Sequence, residues 1–317
     1  MSDSIRGKTV GVVGVGYMGG AVARSLVRSG FDVVVHDVRD DAIRQLVSAG
    51  ARAAASLDEL VPQSRAIAIV VVSDEQVRDV GPRIVERAAR GSTILVHSTI
   101  RPATAVWLAG LAATGGAAVL DVAVNGGDEK AGLGKLTLMI GGDEGAVRYM
   151  WPYFQAIGQH IFHVGPLGSG LVGKLVNNLI AVGGYALQLE AMQLAAAYGM
   201  SEDTVTTMVS ASQGDSRGIR TWGRHDRKRR ARRAMGIDWS ERMGRDLEEA
   251  AIAAGVRGVP LPLTAAVAQM LPTKLRRRDR DLDARGALPD IPLCSGCDQE
   301  LAAPFREAGI HPECLPS

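Results

Sequence analysis

Residues 8–37 read KTVGVVGVGYMGGAVARSLVRSGFDVVVHD, and this stretch decides the fold class. It begins with an apolar run suited to a buried strand and continues through a glycine-rich turn into a stretch of helix length. A second apolar strand, 33–36, closes it. A strand, a helix and another strand in this order are typical of a βαβ unit.

The same alternation continues along the first half of the chain. Strand-like apolar runs recur at 66–72, 94–97, 117–121 and 136–140, with helix-length stretches between several of them. Strands this rich in Val and Ile are apolar on both faces, so they predict a parallel sheet covered by helices on both sides. From 171 to 198 the chain has no proline and is rich in Ala, Leu and Met, which predicts a long helix.

We therefore expect an α/β fold, with a Rossmann-type doubly wound parallel sheet followed by an all-helical second domain. The turn-rich segment VGPLGSG at 164–170 marks the predicted boundary. The predicted domains are a dinucleotide-binding domain at 1–166, a helical substrate and dimerisation domain at 167–273, and an irregular basic tail that contains the cysteines at 274–317.

The composition is that of a globular protein: of 317 residues, 46% are hydrophobic and 22% are charged, which excludes wholesale disorder. The first residues do not resemble a secretion signal, and no uncharged apolar run approaches the roughly 18 residues that a membrane span needs. All three cysteines come after residue 290, so no disulfide framework is expected in the body of the protein. We expect a cytoplasmic protein without a membrane segment.

A dinucleotide site is indicated by Gly14, Gly16 and Gly19, which form G-x-G-x-x-G between the first strand and the helix. The first glycine permits the tight turn, the second lets the backbone approach a pyrophosphate, and the third allows the helix to pack closely on the strand. Glycines that merely connect a strand to a helix are the alternative. The strand context, together with an acidic residue at the end of the second strand, favours a dinucleotide.

That acidic residue is Asp37, 23 positions after Gly14. A carboxylate there can accept hydrogen bonds from the ribose hydroxyls and repel a 2′-phosphate, so NAD is favoured over NADP. Arg39, two positions later, could compensate the charge of a phosphate. NADP therefore stays open as the alternative cofactor.

Three further stretches are informative: HSTIRP at 97–102, DVAVNGGDEKAGLGKLTLMIGG at 121–142 and GSGLVGKLVNN at 168–178. Together with GVGYMGG they resemble the β-hydroxyacid dehydrogenases, the group that includes 3-hydroxyisobutyrate dehydrogenase and tartronate semialdehyde reductase. The resemblance runs in order from about residue 10 to about residue 270. This combination of motifs is far more specific than the glycine pattern alone.

The resemblance implies an assignment of site residues. The family's catalytic lysine and its substrate-orienting asparagine fall on Lys174 and Asn178, which helical spacing places one turn apart on one face. The substrate carboxylate would be held by Asn125, Gly126 and Gly127. The expected cofactor residues are Gly14, Gly16, Tyr17, Met18, Gly19, Asp37, Val72, Ser73, Thr99 and Arg245.

The sequence departs from the family pattern at four of these positions. Asn125 stands where the family usually has Ser, Val72-Ser73 replaces Leu-Pro, and Arg245 replaces the Lys of Lys-Asp-Leu. Asn125 keeps a polar group but changes its reach, so the substrate preference stays open.

Two basic stretches interrupt an otherwise mildly acidic chain. Residues 217–233 hold nine basic residues and one Asp, and 274–280 hold five and one Asp. A nucleic-acid site, a solvated face and a local error in the translated reading frame are the alternatives. Because no nucleic-acid-binding module accompanies the charge, we do not expect nucleic acid as a partner.

The tail contains Cys294, Cys297, His311 and Cys314, two short pairs at spacings typical of structural zinc. Three cysteines falling by chance in an irregular tail is the alternative. A zinc ion here would order the tail without taking part in catalysis.

The whole pattern predicts an oxidoreductase that transfers a hydride between NAD(H) and a small β-hydroxy acid, similar to 3-hydroxyisobutyrate, or its semialdehyde. We expect a homo-oligomer formed through the helical domain. The competing interpretation is a non-catalytic binding protein on the same fold with a basic partner-binding surface. An imine reductase is disfavoured because Lys174 is retained.

Overall fold

The computed structural model of the chain describes residues 4–227, 229 and 238–285. The described residues form two compact units, which divide between Lys174 and Leu175. The boundary at 166/167 stays a prediction.

The first unit contains one sheet of eight strands in the order β3-β2-β1-β4-β5-β6-β7-β8. Only the β6–β7 pair is antiparallel. The order reverses direction between β1 and β4, and in doubly wound sheets the ligand crevice lies at such a point, beyond the carboxyl ends of the strands. The strands are β1 Thr9–Val13, β2 Asp32–His36, β3 Arg52–Ala53, β4 Ala66–Ile69, β5 Thr93–Val96, β6 Ala118–Asn125, β7 Leu136–Gly141 and β8 Gly158–Gly165.

Helices cover both faces of this sheet, as the apolar strands predict. Val10 and Val12 of β1 belong to a core cluster on one side, together with Leu26 and Phe154. Strands β4 and β5 also supply the core of the other side. The helices of this unit are α1 Tyr17–Arg28, α2 Asp40–Val47, α3 Leu57–Leu60, α4 Asp74–Arg87, α5 Pro102–Gly115, α6 Gly127–Gly132 and α7 Glu144–Ile157.

Strand β8 was not predicted from the sequence. Its sequence, GQHIFHVG, has no apolar run, because β8 is the edge strand and most of its residues are intermediate or exposed. An edge strand is stabilised mainly by its backbone hydrogen bonds to one neighbour. Its side chains therefore do not show the apolar pattern that is typical of a buried strand.

Every described secondary-structure element of the second unit is a helix. Helix α8, Ser169–Ala197, begins in the first unit and continues into the second, where its Tyr185 and Leu189 pack with residues of two later helices. By length and composition α8 alone among the described helices could cross a membrane, a property it shares with the core helices of soluble proteins. The other helices are α9 Glu202–Ser210, α10 Arg217–Arg220, α11 Trp239–Gly255 and α12 Pro262–Arg285.

The expectation of an irregular tail from residue 274 is wrong for its first part. Helix α12 continues through Lys274 to Arg285 and buries Leu275 and Leu282. These leucines are seven positions apart, so they lie on one face of the helix, a spacing that the charged residues between them obscure.

Candidate active site

The glycine turn lies between the end of β1 and the start of α1. The backbone N–H of Gly14 donates to the carbonyl of His36 at the end of β2, at 2.9 Å. A Cβ on Gly19 would lie 2.0 Å from the carbonyl oxygen of Gly14, so only glycine permits this packing. No side chain caps the N-terminus of α1 and its first turn has no acidic residue, which suits it to an anion.

Asp37 is hydrogen-bonded to this turn. Its Oδ2 accepts from the backbone N–H of Val15 at 2.7 Å, and its Oδ1 accepts from the backbone N–H of Arg39 at 2.9 Å. The Arg39 guanidinium lies 3.5 Å from Oδ1 and stands over Gly16, so a cation and a carboxylate share the edge of the turn. The structure therefore brings Asp37 to the glycine turn and adds Arg39 beside it.

Exposed apolar side chains surround the turn at the carboxyl ends of three strands. Val72 follows β4 and is 87% exposed, Val38 follows β2 and is 96% exposed, and Tyr17 follows β1 and is half exposed. Met18, by contrast, is partly buried against the core. The exposure of Val38 was not predicted, because the sequence alone does not distinguish a valine after a strand from a residue of the strand.

The loops that follow β4 and β5 are joined by Ser98. Its hydroxyl accepts from the backbone N–H of Val71 at 2.9 Å, while Thr99 beside it is exposed. Ser73 caps α4 by accepting from the N–H of Gln76. Thr99 is not a helix cap, since the residue at the N-cap of α5 is Arg101.

A second polar site lies at the end of β6. Asn125 is the last residue of the strand, and Gly126 and Gly127 follow with φ of 137° and 76°. Both glycines are exposed, and a Cβ on Gly127 would meet nothing within 4 Å. The turn therefore has exposed backbone that an oxyanion could approach.

Lys174 reaches this turn from α8. Its Nζ donates to the carbonyl oxygen of Val124 at 2.8 Å and to Oδ1 of Asn125. A cation was expected in this site, and Nζ of Lys174 lies at the end of β6. The direct contact with the Asn125 side chain was not expected.

The position of Lys174 depends on Asp121, for which no role was predicted from the sequence. The Asp121 side chain is fully buried, and it accepts from the backbone N–H groups of Gly168 at 2.7 Å and Leu171 at 2.8 Å. Burial raises the pKa of Asp121, and the hydrogen bonds from Gly168 and Leu171 oppose the rise. A Cβ on Gly170 would lie 2.8 Å from Oδ2, so a glycine is needed where the helix passes the carboxylate.

Asn178 lies one helical turn after Lys174. It is buried, its Nδ2 donates to Oδ2 of Asp246 at 3.0 Å, and its Oδ1 accepts from Asn177 at 3.2 Å. A carboxylate can only accept, so the amide atom that faces Asp246 must be the nitrogen. Arg245, the expected cofactor residue, is exposed on α11.

Several described cations of the basic stretches are held in ion pairs of the second unit. Arg278 donates to Glu202 and Asp226 and lies 4.9 Å above the ring of Trp222. Arg229 is buried and pairs with Asp283 at 3.0 Å. These two arginines are therefore part of the folded unit rather than of a solvated basic face. Residues 228 and 230–237 lie outside the described part of the chain.

The proposed zinc ligands Cys294, Cys297, His311 and Cys314 also lie outside the described residues. Within 4–227, 229 and 238–285, no group of three or more His, Cys, Asp or Glu side chains could hold a metal ion.

Comparisons with known proteins cover both units. Residues 9–165 match the model of the NAD-binding domain of 6-phosphogluconate dehydrogenase, and 168–289 match the model described as NAD-binding of NADP-dependent 3-hydroxyisobutyrate dehydrogenase. An NAD-dependent L-serine dehydrogenase of Pseudomonas aeruginosa is 33% identical over 210 residues, which are 65% of this chain and 70% of that protein.

Two further proteins extend the likeness. The 2-(hydroxymethyl)glutarate dehydrogenase of Eubacterium barkeri is 30% identical over 278 residues, 85% of this chain and 89% of that protein. The structure of a Mycobacterium tuberculosis 3-hydroxyisobutyrate dehydrogenase with L-serine has a TM-score of 0.76 at 24% identity, and covers 87% of this chain and 96% of that one. The chain therefore belongs to the β-hydroxyacid dehydrogenase family, the hydroxyacid oxidoreductases that include 3-hydroxyisobutyrate dehydrogenase.

Proposed function

We propose that the protein oxidises a small β-hydroxy acid with NAD, or reduces the corresponding semialdehyde with NADH. The bond from Lys174 to the Asn125 side chain carries this proposal, because it sets a proton-transfer group beside a turn suited to a carboxylate. Lys174 is the general acid and base. Asn178 orients the reacting oxygen, and Asn125, Gly126 and Gly127 hold the substrate carboxylate.

The chemistry at Lys174 follows from its position. In the oxidation, Nζ of the neutral amine takes the proton of the substrate hydroxyl, and in the reverse direction the ammonium returns it to the carbonyl oxygen. A carboxylate held at the turn fixes the distance between the reacting carbon and Nζ, so the transfer is effectively intramolecular. When bound, the nicotinamide ring supplies or accepts the hydride.

The residues at the head of the sheet suit a dinucleotide. The uncapped start of α1 fits the pyrophosphate, and the exposed Tyr17, Val38 and Val72 offer apolar surface to flat rings. We propose NAD as the preferred cofactor because Asp37 would face a 2′-phosphate. Ser73 and Thr99 belong to the same group of proposed cofactor residues, as does Arg245.

The relatives define the substrates to test. Purified protein is supplied with NAD and, in turn, L-serine, 3-hydroxyisobutyrate and 2-(hydroxymethyl)glutarate, and NADH is followed by its absorbance. We expect turnover on at least one of the three acids, and turnover about 1000-fold slower with Lys174→Ala. Binding of the acids without turnover would favour the non-catalytic alternative.

We propose that the protein is a homo-oligomer formed through the helical unit. Ile180, Leu187 and Leu194 are 73%, 67% and 64% exposed and follow each other at intervals of seven along α8. This spacing places them on one stripe of the helix, a pattern typical of a surface that packs against another helix. A second copy of the same helix would cover the stripe.

Two further proposals concern the setting of the enzyme. The tail cysteines and His311 would form a structural zinc site, which elemental analysis of protein purified without chelator or affinity metal decides. The absence of cysteines before residue 294 suits a reducing compartment, and we propose the cytoplasm. We do not propose nucleic acid or a membrane as a partner.

A further inference from the structure

The contact between Asn125 and Lys174 has a definite polarity. The Lys174 ammonium can only donate, so the amide atom of Asn125 that faces it must be the oxygen. The amide group is planar, and its nitrogen therefore points away from the lysine. Nδ2 of Asn125 makes no hydrogen bond to any residue in the described part of the chain.

Asn125 also sits where a substrate carboxylate would be held. It ends strand β6 and directly precedes the two exposed glycines of the turn. The neighbouring residue, Val124, supplies the second oxygen that binds Nζ, at 2.8 Å. The carboxyl end of β6 thus binds Lys174 through the carbonyl oxygen of Val124 and through the side chain of Asn125.

We propose that Asn125 is a positioning residue for Lys174 as well as a donor to the substrate carboxylate. Its amide oxygen holds the ammonium nitrogen against β6, and its amide nitrogen is turned toward the carboxylate by that same contact. The inference rests on the proposed function and adds to it a link between the group that binds the substrate and the group that moves the proton.

The side chain at this position decides whether the link exists. Serine, the usual residue of the family, carries its oxygen one bond from Cβ, whereas the amide oxygen of asparagine is two bonds from Cβ. We therefore expect a serine hydroxyl in the same backbone position to fall short of Nζ, and the contact to be specific to Asn125.

The test measures Lys174 directly, without turnover. The full chain is labelled with a trace of an amine reagent over a range of pH, and the labelling of Lys174 relative to the exposed Lys8 is read by peptide mass spectrometry. The variants are Asn125→Asp and Asn125→Leu, which match each other in size, and Asn125→Ser. The adjoining elements β6 and α6 contain two described titratable side chains, Asp121 and Lys130. All three variants retain both residues.

Asn125→Asp keeps the acceptor and adds a negative charge beside the ammonium. We expect the labelling curve of Lys174 to move up by about one pH unit, which is about a tenfold slower labelling at a fixed pH. Asn125→Leu and Asn125→Ser remove the acceptor, so the curve moves down. Activity supplies the second readout: KM for the hydroxy acid rises in Asn125→Asp and Asn125→Leu, because both have lost the amide donor.

An unchanged labelling curve for Lys174 in Asn125→Asp and Asn125→Leu would overturn the inference, even if KM rises. Circular dichroism and thermal melting show whether each variant is folded, and Asn125→Ser provides a milder change should a larger one unfold the chain. If the unaltered protein oxidises no hydroxy acid, the proposed function fails on its own, while the labelling still decides whether Asn125 holds Lys174.

Discussion

Asp121 on strand β6 binds the backbone N–H of Leu171 at 2.8 Å and so fixes the first turn of α8, three residues before Lys174. The carboxylate is fully buried, and a second N–H, from Gly168, binds its other oxygen at 2.7 Å. Strand β6 therefore holds α8 at two places, at its start through Asp121 and at Lys174 through Val124. The lysine is positioned by the core of the sheet.

The first prediction concerns this buried carboxylate. Asp121→Leu leaves two backbone N–H groups without an acceptor, so we expect it to lower the free energy of unfolding by about 3 kcal/mol. Urea unfolding measures the change. Asp143→Leu is the matched control, because Asp143 also accepts from a helix N–H, that of Ala146, but at the surface. Equal losses in the two variants would contradict the special role of Asp121.

The second prediction concerns pH. His97 is buried, with Nε2 2.8 Å from the hydroxyl of Tyr153, and burial lowers its pKa to about 4. Since the pKa of His97 in the unfolded chain is near 6.5, the unfolded state binds more protons between these values. The stability contributed by neutral His97 is therefore complete above pH 6.5 and is lost as the pH falls toward 4, at about 1.4 kcal/mol per unit.

Urea unfolding at several pH values checks this. His97→Gln should flatten the dependence on pH between 6.5 and 4, whereas His160→Gln, at an exposed position of β8, should leave it unchanged. If the slope survives in His97→Gln, other groups cause the acid sensitivity.

Much of the fold is predictable because its strands are buried on both faces. Ala66–Ile69 and Thr93–Val96 are fully buried, and their apolar runs are visible in the sequence. Strand β8 is not visible in this way, because an edge strand depends little on buried apolar side chains. The part of α12 after residue 273 was not expected to be helical, because the charges between Leu275 and Leu282 obscure its buried face.

The candidate site divides in the same way. The glycine turn and Asp37 can be predicted from the sequence because their spacing within one βαβ unit is fixed by local geometry. The bond between Lys174 and Asn125 joins residues 49 apart, and that between Asn178 and Asp246 joins residues 68 apart. No local pattern encodes such pairs, so only the folded chain reveals which side chains meet.

The third prediction tests the proposed acid and base. Lys174→Ala should lower kcat by about 1000-fold, because proton transfer is lost, while NADH binding measured by fluorescence stays close to that of the unaltered protein. Lys135→Ala, at an exposed position, is the control. Near-normal turnover in Lys174→Ala would remove Lys174 from the mechanism.

The fourth prediction tests the apolar stripe on α8. Leu187→Glu places a charge at its centre, so the molar mass measured by light scattering should fall to that of one chain at micromolar concentration. The control is Gln193→Glu, which brings the same charge to an exposed polar position of the same helix. A single-chain mass for the unaltered protein would refute the proposed oligomer.

The last prediction concerns cofactor choice. Asp37→Asn removes the charge that would oppose a 2′-phosphate, yet its amide oxygen can still accept from the N–H of Val15. We expect the ratio of kcat/KM for NAD to that for NADP to fall about tenfold, a change of about 1.4 kcal/mol. Asp41→Asn, the same change at an exposed position of α2, is the control. Arg39→Ala distinguishes the effect of Arg39 from that of Asp37. In the Asp37→Asn background, where the guanidinium no longer faces a carboxylate, it should lower kcat/KM for NADP. If the unaltered protein already prefers NADP, Arg39 outweighs Asp37 at the edge of the glycine turn.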